Sequence, residues 1–256
     1  MISEVFHKIR SRLTLKYHQH FSHRYPELST SPIAALTQLL AVPADKIEYI
    51  LKTESLCHLM DDLKKHQSPV KMGGASYLEL CYVIVNLTRP NIVVETGVSQ
   101  GYSSAVLLQA LVDSGQGKLY SIDLPAFQRG TKYYTGRAIP ERLRSFARWN
   151  LLLGPDRQIL PDLLTKIAPI DFFHYDSDKS YQGMLSTLEL VWKHLRAGAI
   201  LMMDDVNSND AFLEFSQSVQ QQPFIIPKPT KKDVYQWTKV YYVGLLQKPF
   251  QVVYHP

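Results

Sequence analysis

Two acidic segments pose the chemical question. Asp171-Phe-Phe-His-Tyr-Asp176-Ser-Asp178-Lys179-Ser-Tyr181 and Leu201-Met-Met-Asp204-Asp205 each carry an apolar run to an acidic end, and Asp204 follows Asp176 by 28 residues. Such runs predict buried parallel strands over 170–175 and 199–203. As neighbours in one sheet they would bring Asp176, Asp204 and Asp205 to a single edge. Three carboxylates that close repel one another and favour protonation unless a cation neutralises them. Oxygen donors without a Cys or His cluster suit Mg2+, Mn2+ or Ca2+, not zinc. In the competing reading Asp178 and Asp205 cap helices while Asp176 orients a cofactor.

A second constellation lies upstream, in Asn91-Ile-Val-Val-Glu-Thr-Gly-Val-Ser-Gln-Gly-Tyr-Ser-Ser104. A short strand over 91–95 ends at Glu95, Gly97 and Gly101 open a tight turn, and 102–112 reads as a helix. Strand, glycine turn and helix make a nucleotide-binding crossover, in which glycines admit a ligand and helix amides face it. The spacing Glu-x-Gly-x-x-x-Gly is not that of dinucleotide enzymes, and no Walker lysine follows Gly101. Asp123 ends the next strand, 118–123, and stands 28 positions after Glu95. At the carboxyl edge of an open sheet it would accept both ribose hydroxyls of a nucleoside, or else cap the turn before Pro125. Ser103 and Ser104 cap the helix, contact the cofactor, or both.

The elements that must position these groups fall in two blocks. Residues 1–90 read as helical: 1–24, then 31–40 and 43–52 with prolines in their first turns, 53–65 capped by Thr53 or Ser55, and 76–88, ended by Arg89-Pro90. From Asn91 the pattern alternates, with a polar and aromatic loop at 125–138, a helix at 140–149, a strand at 150–153 and helices at 156–167, 181–196 and 210–221. The tail, 237–246 and 250–254 around Lys248-Pro249, reads as a closing antiparallel hairpin. The expected fold is α/β: a doubly wound, mostly parallel seven-stranded sheet with one antiparallel strand. A helical extension over 1–72, serving as a lid or for self-association, would precede a Rossmann-like domain over 73–256.

The two constellations together resemble class I S-adenosylmethionine-dependent methyltransferases, over about residues 73–254. The segment from Asp171 to Tyr181 resembles that of the cation-dependent O-methyltransferases of the catechol and caffeoyl-coenzyme A types. Its tyrosine falls one place earlier, as in the related macrolide-sugar methyltransferases, which carry histidine where this chain has Lys179. Those relatives commonly share the Asp204-Asp205 pair, where the catechol type has Asp-Asn. The resemblance implies S-adenosylmethionine held by Glu95, Thr96, Gly97, Gly101, Ser103, Ser104, Asp123 and Asp176. Asp156, after Leu151-Leu-Leu-Gly-Pro, meets the adenine or caps its helix. It also implies Mg2+ or another hard cation at Asp176, Asp204 and Asp205, with Lys179 as general base if the metal depresses its pKa. The expected reaction is O-methylation of a small-molecule hydroxyl. A metal-independent methyltransferase and a non-catalytic module that binds S-adenosylmethionine are the alternatives.

Composition limits the partners. With 256 residues, 45% of them apolar, the chain can bury one substantial core, and Cys57 and Cys81 are too few for a disulfide framework. No run reaches membrane-spanning length, and charges fill the first 16 residues where a signal peptide would be apolar, so a cytoplasmic protein is expected. The net charge is +5, yet Lys8, Arg10, Arg12, Lys16 and Arg24 against Glu4 put +4 of it in residues 1–26. A near-neutral body argues against a nucleic-acid-binding face. Residues 125–150 carry six basic groups, Arg129, Lys132, Arg137, Arg142, Arg144 and Arg148, against Glu141. That stretch would close over the site and draw an acidic acceptor, or present a solvated helix face. His174 and Trp192 read as packing residues.

Overall fold

The computed structural model describes residues 24–66, 76–124, 135–229 and 240–250. The helix expected over 1–24, the break at Gly73-Gly74, most of the loop 125–138 and the tail strand expected at 250–254 lie outside the described residues, apart from Arg24 and Phe250. The first helix among the described residues, α1 (Pro32–Leu40), starts where Ser31 accepts a hydrogen bond from the Ala34 amide and Pro32 supplies a preset φ. Next come α2 (Ala44–Leu51), α3 (Glu54–Lys65) and α4 (Leu78–Thr88), the last apolar around most of its circumference because it is covered on both sides.

The β/α alternation then runs β1 (Ile92–Thr96), α5 (Tyr102–Ser114), β2 (Lys118–Asp123), α6 (Glu141–Arg144), β3 (Trp149–Leu153), α7 (Asp156–Ile167), β4 (Ile170–Tyr175), α8 (Tyr181–His194) and β5 (Leu195–Met203). A short 3-10 turn (Val206–Ser208), α9 (Ala211–Ser218), β6 (Phe224–Pro227) and β7 (Tyr242–Gln247) complete the described chain. The seven strands lie in the order β3-β2-β1-β4-β5-β7-β6. β7 pairs antiparallel with both β5 and β6, and the other pairings are parallel, so one strand is reversed, as expected.

Strand alternation sorts the core into two faces. Val93, Phe172, Ile200, Met202 and Leu245 pack with α1 to α5, while Val94, Phe173, Leu201, Met203 and Leu246 pack with α7 to α9. Helices 32–65 thus share one apolar core with the sheet.

Three local expectations change. The helix expected at 140–149 is one turn, because the Arg144 guanidinium donates to the carbonyls of Gly136, Arg137 and Ile139 and the chain turns at Phe146 into β3. β5 begins at Leu195, four residues early. The hairpin partner of β7 is β6, a four-residue edge strand ending in proline, which such a strand tolerates.

Candidate active site

The strand order reverses between β1 and β4, the place where open α/β sheets bind ligands at their carboxyl edge. Register aligns Thr96 with Tyr175, and Tyr175 with Met203. The ladder continues past the strands, with the Asp176 amide on the Thr96 carbonyl and the Asp204 amide on the Tyr175 carbonyl, each at 2.8 Å. The groups expected to do chemistry are therefore brought together at one edge.

Behind this edge lies Glu95, fully buried. Ser103 and Ser104 donate to its two oxygens, Ser121 donates to one of them at 2.9 Å, and His174 Nδ1 lies 3.6 Å away. Burial pushes Glu95 toward protonation, but His174 and the hydroxyls of Ser103 and Ser104 outweigh it and hold the carboxyl below its ordinary range. The carboxylate clamps the start of α5 onto β1 and β2. Neither serine caps the helix, since both hydroxyls are committed to Glu95. His174 is a buried packing residue whose Nε2 pairs with Ser76 at 3.0 Å, and Trp192 packs edge-on against Phe215.

The glycines of the turn make room for the chain itself. Gly97 has φ +89°, and a Cβ there would fall 2.0 Å from the Asp176 carbonyl oxygen. At Gly101, φ +91°, a Cβ would meet Ile139 and Gly136. These contacts let β1 and β4 exit side by side and seat 136–139 against the turn, where Gly136 and Ala138 donate to the carbonyls of Ser99 and Gln100.

On the β2 side, Asp123 accepts from the Val98 amide at 3.2 Å and from the Thr135 hydroxyl at 2.8 Å. Asp156, the first residue of α7, accepts from the Arg157 amide and from Ser177, whose hydroxyl also lies 3.1 Å from Thr96 Oγ1. Ser177 links the β1, β4 and α7 sides of the crevice and was not singled out from sequence.

On the β5 side, Asp176, Asp204 and Asp205 each offer an oxygen within 4.8 Å of the others. Asp178 is not part of the group: it accepts from the Ser180 amide and supports the start of α8, whose cap is Ser180. Asp205 has φ +53° and makes no capping bond, so its side chain is left to face the cluster. Two lysines lie among the three acids. Lys179 Nζ is 2.7 Å from Asp176, 4.0 Å from Asp205 and donates to the Asp204 carbonyl at 3.0 Å. Lys228, just past β6, donates to Asp204 at 2.8 Å and to Asp205 at 3.1 Å.

Burial alone would lower both lysines. The carboxylates of Asp176, Asp205 and Asp204 hold Lys179 well above its ordinary value, and those of Asp204 and Asp205 raise Lys228. Burial and Asp176 push Asp204 up against the two ammonium groups, and its Oδ1 is buried without a partner. Lys228 was missed in the sequence because it lies beyond a strand that four residues barely signal. Its only local mark is the Pro227-Lys228-Pro229 tripeptide. Among the described residues no helix is long and apolar enough to cross a membrane.

Residues 94–206, which span the turn and the acid cluster, match a family model described as a methyltransferase domain. No curated protein matches the chain. Among solved structures, the O-methyltransferase TomG from Streptomyces achromogenes, in complex with S-adenosylmethionine, is similar at TM-score 0.56 and 17% identity, covering 89% of this chain and 100% of that one. An O-methyltransferase from Bacillus cereus, in complex with S-adenosylhomocysteine, is similar at 0.52 and 18%, covering 84% and 96%. A putative O-methyltransferase from Klebsiella pneumoniae is similar at 0.55 and 16%, covering 89% and 100%. At such identities the likeness establishes the fold alone: the chain has the Rossmann-like methyltransferase fold, and its residues 94–206 resemble a methyltransferase domain.

Proposed function

We propose that the protein transfers a methyl group from S-adenosylmethionine to a hydroxyl of a small molecule, with a divalent cation at the acid cluster. The observation that carries this reading is the convergence of Asp123, Asp176, Asp204 and Asp205 at the carboxyl edge, astride the β1–β4 switch point. Asp123 would accept the ribose hydroxyls, Asp156 would meet the adenine, and the turn from Thr96 to Gly101 would lie against the methionine end. Glu95, Ser103 and Ser104 serve that site by holding the turn in place.

The acid cluster fits a hard cation, since its donors are all oxygens and buried Asp204 Oδ1 has no partner. Asp176, Asp204 and Asp205 would hold the ion, and the chemistry it supplies is acidification of a bound hydroxyl. In the transfer the acceptor oxygen gains the methyl carbon, the sulfur keeps the bonding pair, and the hydroxyl proton goes to a base. Lys179, once deprotonated, is the candidate for that base. Arg137 and Arg142 would favour an acidic acceptor, whereas Arg144 is committed to backbone carbonyls and Arg148 lies at the amino edge of the sheet, its carbonyl on the Leu119 amide at the start of β2.

One observation favours a second reading, methyl transfer without metal: Lys179 and Lys228 already supply two positive charges to three carboxylates. Calorimetry with S-adenosylhomocysteine, with and without Mg2+, followed by an acceptor screen, tests both. Binding and a methylated hydroxyl are expected. Absence of binding removes the methyltransferase reading, and full turnover in excess chelator leaves only the metal-independent one.

A further inference from the structure

We infer that Lys228 is a tethered internal cation that competes with a divalent ion for Asp204 and Asp205, and that the ion binds only by expelling it. This inference rests on the cation reading of the cluster. The single ammonium of Lys228 bridges carboxylates from two consecutive residues, Asp204 Oδ2 at 2.8 Å and Asp205 Oδ1 at 3.1 Å. One cation spanning two carboxylates is the arrangement a metal ion would adopt, and an ammonium held there repels a second cation at the same oxygens. The side chain is 12% exposed and Asp204 is 1% exposed, so water screens the contest weakly.

Lys179 does not compete in this way. Its nearest partners are Asp176 and the main-chain oxygen of Asp204, and Asp205 is 4.0 Å away, so it leaves the β5-end carboxylates to Lys228. The Lys228 backbone is pinned between Pro227 and Pro229, with its amide on the Tyr241 carbonyl at 2.8 Å. Expulsion therefore needs only rotation of a long flexible stem. The partly exposed Tyr241 ring has its centroid 5.8 Å from Nζ while the ammonium sits on the two carboxylates.

The test is calorimetric titration of Mn2+ into the metal-stripped full chain as wild type, Lys228→Met and Lys228→Arg. Lys228→Met should bind Mn2+ about tenfold or more tightly, the scale of one charged hydrogen bond lost by the competitor. Lys228→Arg, which keeps the charge, should stay within about threefold of wild type. Equal or weaker affinity in Lys228→Met overturns the competition and leaves the cation site standing. No binding by any of the three overturns both. A second measurement serves if Lys228→Met does not fold: the rate of amine acetylation at Lys228 in wild type, followed by peptide mass spectrometry. Mn2+ should accelerate it severalfold, and an unchanged rate overturns the inference.

Discussion

Lys179 Nζ lies 2.7 Å from Asp176 and 3.0 Å from the main-chain oxygen of Asp204, surroundings that keep the amine protonated. A base must first lose that proton, and a divalent cation at the three acids would press toward that loss by repelling the ammonium. Lys179→Met should lower turnover roughly a hundredfold or more while S-adenosylhomocysteine binds as before; near-normal turnover would reduce Lys179 to a counter-ion of the acids. Asp123→Ala should weaken S-adenosylhomocysteine by about 1.5–3 kcal/mol, the scale of a lost charged acceptor, and calorimetry reads it directly. Glu95 bears on stability. Its carboxyl is held below the ordinary range, so its contribution is fully present above the unfolded value of about 4.3 and is lost as pH falls through the folded one. Urea unfolding of Glu95→Gln across pH 3 to 7 should show a flatter acid limb than wild type. An identical limb would mean that other carboxyls carry the acid sensitivity.

The turn between β1 and α5 was legible as a strand, two glycines and a helix, because punctuation and apolar periodicity are local signals. What the glycines face was not legible. The 2.0 Å approach of the Asp176 carbonyl to a Cβ at Gly97 depends on β4 lying beside β1, across 79 residues of sequence. Gly97→Ala should therefore cost about 2 kcal/mol or more, from the left-handed φ and the clash together, and thermal unfolding would reveal it. A loss of cofactor affinity without a loss of stability would place the glycine's role at the ligand instead. The helix expected at 140–149 failed for a similar reason: the arginines fit a helix face, yet Arg144 binds three carbonyls of the preceding segment.

At the scale of the molecule, α1 packs on β6 and α4, and α2 and α3 pack on α4 and α5 respectively, all within the apolar cluster on one side of the sheet. Leu36, Ile47, Leu56 and Leu59 are almost wholly buried in the same cluster as Val93, Phe172 and Met202. Leu59→Ala should cost about 2–5 kcal/mol. Far-ultraviolet circular dichroism and tryptophan fluorescence should report one coincident transition for helices and sheet. Two separated transitions would show that the helical layer folds apart from the sheet. The helices at 32–65, read as an extension from their lack of strands, join the core of the sheet by packing on α4 and α5.

By itself the sequence determined which acidic residues lie within one position of the strand ends. Hydrophobic runs closed by Glu95, Asp123, Asp176 and Asp204 are local patterns, and parallel strands deliver their carboxyl ends to one edge. From that, the fold, the glycine turn and the gathering of three acids followed. The tertiary structure decided the partners of those acids. It gave Glu95 to Ser103, Ser104, Ser121 and His174, Asp156 to Ser177, and Asp204 and Asp205 to Lys228. Lys228 reaches them from beside β6, with β7 inserted between β6 and β5. Such pairings depend on sheet order and on the paths of side chains across it, which no spacing along the chain encodes.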